Sequence, residues 1–165
     1  MSTAYTLEIE TRLTPRDLIA VIASQPGFRD ADAGSADAPT QGRVALGHGL
    51  LVVAGPADED EIELTLGTAG FRPTCSVLFV DMRRRDVPED VRYTAMVGAV
   101  VTLLATVTGD AAMDFDCSLL LFIRRDGRVT VNTDWDEAQW PGDSPCRGLL
   151  RRSMASATLA ALAPL

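Results

Sequence analysis

The stretch from Glu89 to Gly109 constrains this chain more than any other. Met96, Val97, Val100, Val101, Leu104 and Val107 recur there at the i, i+3, i+4 spacing of one helical face. A helix with so continuous an apolar stripe must lie on a second apolar layer, and Ala95, Gly98 and Ala99 are small enough to let that layer come close. Asp86 is expected as its N-cap, with Glu89 completing a capping box, and Gly109 as its end. Thr102 and Thr106 interrupt the apolar run, which falls well short of the about 20 residues that span a bilayer.

The partner layer is supplied on both sides. Tyr5, Leu7, Ile9 and Leu13 alternate with Thr6, Glu8, Glu10 and Arg12, the period of two that marks a strand half on a core and half in water. Thr14-Pro15-Arg16-Asp17 then provides an N-cap hydroxyl, a first-turn proline and an acid three residues on, so a helix is expected from Thr14 to Ser24, stopped by Pro26-Gly27. Arg29 to Gln41 has no large apolar residue and reads as a surface loop. Strand patterns resume at Val44 to Val53, at Glu61 to Leu66 with Ile62, Leu64 and Leu66 inward, and at Thr74 to Asp81. Asp58-Glu59-Asp60-Glu61 falls in a turn between two of these and lacks the spacing and glycine of a calcium loop.

Beyond Gly109 come two strands joined at Arg125-Asp126-Gly127. A three-residue loop with Gly127 left-handed would place Ile123 opposite Val129 and Leu121 opposite Val131, keeping like with like, whereas a two-residue Asp-Gly loop would place Ile123 opposite Thr130. The first register is preferred. With a regular pleat it turns Phe115, Cys117 and Leu119 inward and Asp114, Asp116 and Ser118 outward. Pro145 opens a third helical segment containing Leu149, Leu150, Met154, Leu159 and Leu162. The expectation is an α+β fold in one domain, residues 1–165: a mostly antiparallel sheet of about six strands, two main helices on one face and a C-terminal helical segment at an edge.

Fifteen arginines, no lysine and 23 acidic residues give a net charge of -8. Such a surface repels nucleic acid and anionic membranes and favours a basic partner. Three widely separated cysteines, Cys75, Cys117 and Cys146, suggest neither a disulfide framework nor a zinc site. The N-terminus carries no basic and apolar export signal, so a cytoplasmic location is expected.

Catalytic signatures are sparse. His48, the single imidazole, sits between Gly47 and Gly49 with no nucleophile motif. Asp114 and Asp116 are two apart on a strand, the spacing of paired carboxylates, but lack the further ligands a metal needs. No glycine-rich phosphate loop is present, and no cofactor is expected. The candidate partner-binding residues are Asp114, Asp116, Asp134, Trp135, Asp136, Glu137 and Trp140. Large aromatics in a polar stretch suit an interface, and equally suit a plug over the sheet edge.

Tyr5-Thr6-Leu7-Glu8-Ile9 with Leu13-Thr14-Pro15, Gly109-Asp110-Ala111 after an apolar helix, Phe115-Asp116, the strand and turn Leu121 to Gly127, and Trp140 occur in an order that resembles the Sit-type (swarming inhibition toxin) immunity proteins, third class. The resemblance covers residues 5–15 and 89–140 and departs in the loop from Arg29 to Gln41 and after Pro141. It implies a cytoplasmic protein that binds and neutralises a toxin delivered by a neighbouring bacterial cell, with no catalytic residues. A small enzyme using Asp114, Asp116 and His48, or a structural or regulatory module, is the alternative.

Overall fold

The computed structural model describes residues 3–31 and 43–161, with side chains to residue 155. Among the described residues eight strands form one sheet. In chain order they are β1 (Thr3–Ile9), β2 (Phe28–Asp30), β3 (Arg43–Gly47), β4 (Leu50–Pro56), β5 (Cys75–Asp81), β6 (Ala111–Phe115), β7 (Leu119–Arg125) and β8 (Arg128–Val131). Among them run helices α1 (Pro15–Ala23), α2 (Glu59–Thr68), α3 (Glu89–Thr106), α4 (Thr133–Ala138) and α5 (Leu149–Ala161). The fold is α+β, and its sheet, ordered β2-β3-β4-β5-β1-β6-β7-β8 with every neighbouring pair antiparallel, has eight strands rather than about six. Two changes add strands: β2 takes Arg29 and Asp30 from the expected loop, of which residues 32–42 lie outside the described residues, and the single strand expected from Val44 to Val53 is instead the hairpin of β3 and β4, turning at His48 and Gly49 with φ of 50° and 76°.

The N-terminal strand sits inside the sheet, hydrogen-bonded to β5 on one side and β6 on the other. Its odd residues Leu7 and Ile9 are fully buried beneath α1 and α3, in a core with Val52, Val77, Phe79, Met96, Val100 and Leu103. Helix α1 begins as the sequence dictates. Thr14 accepts from Asp17 N while the Asp17 carboxylate accepts from Thr14 N, with Pro15 at the first helical position. Helix α3 has the expected apolar face but a different start: Pro88 is its N-cap without a side-chain bond, and Asp86 pairs with Arg84 at 3.0 Å instead.

Two expectations are corrected. Glu61 to Leu66 is not a strand but the body of α2, and Asp58-Glu59-Asp60-Glu61 is its start, not a turn between strands. Asp58 and Glu61 exchange side-chain and backbone bonds in a capping box, and Glu59, Asp60 and Glu61 occupy the first turn, where carboxylates favour the helix. The helical twist turns Thr65 and Ala69 inward and leaves Leu64 and Leu66 in solvent, 47% and 46% exposed. Ala69 and Phe71 pack with Ala112, Leu120 and Ile123, on the side of the sheet opposite Leu7 and Met113, so α2 covers the second face.

The hairpin register is the second correction. Ile123 lies opposite Thr130, and Asp126 and Gly127 form a two-residue turn with φ of 50° and 75°. Two successive left-handed residues make the turn whose twist matches the strands, which outweighs matching apolar side chains on the edge strand β8. A bulge between Met113 and Asp114 also shifts the pleat, so Leu121 and Phe122 both enter the core and Ile123 turns to the other face. Cys117, expected inward, is exposed because β6 ends at Phe115 and the residue lies in the turn that follows, at φ 55°.

The pleat sends Arg124 and Arg125 to opposite faces, each against a helix end. Arg124 donates to Leu104 O in the last turn of α3 at 2.6 Å, and Arg125 donates to Ala69 O at the end of α2 at 2.8 Å. Both satisfy carbonyls that the helices leave open and both complement the negative helix terminus. Arg125 also pairs with Asp110 at 2.7 Å, which ties the hairpin to the chain entering β6.

Candidate functional site

The candidate residues fall on two parts of the molecule. The first is the polar face of the sheet. Asp114 is half-buried on β6 and accepts from Cys117 N at 2.9 Å; burial first, then Asp116 and Glu61, hold its carboxyl above the usual range against that bond. Asp116 is exposed in the turn, with φ 49°, and accepts from Ala4 N at 2.9 Å. Glu8, on the neighbouring strand β1, is 4% exposed. Its Oε1 accepts from Ser76 at 3.0 Å and its Oε2 has no hydrogen-bond partner. Burial and the nearby Glu61 raise its pKa to about 8, with smaller contributions from Asp114 and Asp58 and an opposing one from the Ser76 hydroxyl, so Glu8 carries a proton at neutral pH.

The second part is α4 with the segment that runs on from it to Trp140. Asp134, Trp135, Asp136 and Glu137 are consecutive on a single short helix, so they point in different directions. Asp134 is exposed. Trp135 is 8% exposed, with ring centroids 6.4 Å from Tyr5, 6.0 Å from Tyr93 and 6.2 Å from Phe115, and acts as the plug. Asp136 is fully buried. Its two oxygens accept from Leu150 N at 3.0 Å and Arg151 N at 3.1 Å, and its carbonyl accepts from Gly148 N, so it closes the first turn of α5. Glu137 pairs with Arg151 at 3.2 Å. Trp140 lies half-buried against Tyr93, centroids 4.8 Å apart.

Around Trp140 the fold assembles acids that nothing in the sequence connects. A recess lined by Glu89, Asp90, Trp140, Pro141 and Asp143 brings three carboxylates together with no basic side chain in its wall. Glu89 and Asp90 read in the sequence only as the start of a helix, and Asp143 carries no pattern at all; no local signal tells that the 140s fold back onto the first turn of α3. His48 stands apart, its Nε2 within 2.9 Å of Pro26 O and its ring against Phe28. Among the described residues no group of three His, Cys, Asp or Glu side chains is arranged to hold a metal ion. No helix among them is long and apolar enough to cross a membrane. All three cysteines are free.

Nothing among curated proteins or solved structures matches this chain. A family model described as SitI3-like matches residues 3–142. That span contains the whole sheet, α1 to α4 and Trp140, and stops before Asp143 and α5. The chain therefore belongs to the SitI3-like family of Sit-type immunity proteins.

Proposed function

We propose that this is a cytoplasmic immunity protein that binds a cognate toxin and occludes the toxin's working surface, with no turnover of its own. Membership of the SitI3-like family carries this reading. The acidic surface supports it and gives the partner a character. With a net charge of -8, with Glu89, Asp90 and Asp143 lining the recess at Trp140 and with Asp134 exposed on α4, the protein suits a toxin with a basic surface. Asp114, Asp116 and Glu137 extend the negative field, while Trp135 and Asp136, which sequence alone placed in the contact set, support it from inside. Complementary fields speed encounter, and speed limits the damage a delivered toxin can do before it is bound.

The test is co-expression with any toxin-like reading frame found beside the gene. Cells carrying both should grow where cells carrying the toxin alone stop. The association rate of the purified pair should fall roughly tenfold between about 0.05 and about 0.5 M salt, as for steered encounters. Growth arrest despite soluble immunity protein would refute the reading, and a salt-independent rate would refute the basic surface.

A further inference from the structure

Between the start of β1, the end of β5 and the first turns of α3 lies a cavity of about 20 Å³, walled by Tyr5, Asp81, Glu89, Arg92, Tyr93 and Trp140. It adjoins the Trp140 recess, with which it shares Glu89 and Trp140. Three aromatic rings surround it, with centroids 6.2 Å apart for Tyr5 and Tyr93 and 4.8 Å for Tyr93 and Trp140. Tyr93 is 4% exposed. Its hydroxyl lies beside the Trp140 indole nitrogen, close enough for a weak contact but too poorly aligned for a full hydrogen bond, and among the described residues neither atom has another partner. A buried hydroxyl left in this condition is costly unless something enters to meet it.

Charge decides what enters. Asp81 is neutralised by Arg92, whose Nε lies 2.8 Å away. Glu89 has no ion-pair partner among the described residues, and the rim beyond it adds Asp90 and Asp143. Burial raises the pKa of the Tyr5 hydroxyl, and Glu89, the next contributor, raises it further, in the direction expected of a negative charge at the cavity. Size decides the rest. A space this small admits one water or one group of a water's dimensions, which an ammonium is and a planar guanidinium is not.

We propose that this cavity receives a single lysine ε-ammonium from the toxin, held by Glu89 and by the Tyr93 and Tyr5 oxygens and lying against the aromatic faces. The proposal rests on the immunity reading and names the anchor of its contact. The three N–H donors of the ammonium meet three acceptors, and the rings supply the attraction of a cation to a π face. The lysine stem then lies along Trp140 and leaves through the recess.

The experiment needs no toxin. The ¹⁵N-labelled full chain is titrated with the capped peptide acetyl-Gly-Lys-Gly-amide, and in parallel with its arginine and Nε-acetyl-lysine counterparts, while the Trp140 indole N–H resonance is followed. The chain has only two tryptophans, so Trp140→Phe assigns that signal. The lysine peptide should shift it saturably with a dissociation constant of the order of 1 mM, and the other two peptides should bind about tenfold more weakly or not at all. Glu89→Gln, an exposed change with no side-chain bond to lose, should weaken the lysine peptide to a similar degree while leaving the remaining spectrum folded. No shift, an equal response to the arginine peptide, or an unchanged response in Glu89→Gln overturns the proposal. Lysine binding together with failure to protect toxin-expressing cells would instead overturn the immunity reading and leave the cavity's chemistry standing.

Discussion

Glu8 shows how far one side chain can be moved by its place in a sheet. It sits on the central strand, on the face that looks at α2, with Glu61, Asp114 and Asp58 as its charged neighbours. Its ordinary value is 4.5 and its folded value about 8, so folding takes up a proton. Stability from this group is fully present below the unfolded value and is lost as pH rises towards the folded one. Each unit of displacement corresponds to about 1.4 kcal/mol, so urea midpoints should fall steadily between about pH 5 and pH 8. Glu8→Gln keeps the shape and an acceptor for Ser76, and should flatten that slope and exceed the wild type in stability at the alkaline end. A Glu8→Gln variant as pH-sensitive as the parent would show that the proton sits elsewhere. Asp136 is the contrasting case: an acid in an acidic run reads as surface, and the chain gives no sign that it reaches across to Leu150 and Arg151. Asp136→Ala should cost about 1–2 kcal/mol in chemical denaturation, with the loss of helical signal concentrated in α5. Asp134→Ala, on the exposed side, should cost almost nothing.

At the scale of elements, legibility tracks the strength of local signals. Helix α1 carries a capping box and an N1 proline, and α3 a wide apolar stripe; both are readable, although the Asp86 cap does not form. Helix α2 has an equally good capping box in Asp58 and Glu61, but Ile62, Leu64 and Leu66 mimic a strand because two exposed leucines happen to fall two apart. Its inward residues are mostly small or polar, since the face it covers holds Thr6, Glu8 and Ser76, and that face is invisible until the sheet is assembled. The recess at Trp140 is hidden for a related reason: its acids come from segments that meet only in the fold. In the hairpin, backbone twist decides the register, and two glycines put the backbone to the test. Gly127 has φ 75° with nothing within 4 Å of an added Cβ, so Gly127→Ala meets only backbone strain and should destabilise by about 1 kcal/mol. Gly109→Ala is a different matter. Its Cβ would lie 1.9 Å from Glu10 O where β1 passes the entry to β6, so it should cost several times more by thermal melting.

The whole molecule is a sheet with its first-made strand in the middle. The partners of β1 are β5 and β6, which end at Asp81 and Phe115, so nothing local can hold it in place. At roughly 5–20 residues per second, a ribosome takes on the order of ten seconds after releasing β1 to supply its second neighbour. Until then the two halves of the sheet have no common member, and the surfaces that surround Trp140 do not exist. In the proposed immunity role, a cell facing an incoming toxin would be guarded only by molecules already finished, and the time needed to complete one more would set a floor on how quickly fresh synthesis could restore a depleted stock.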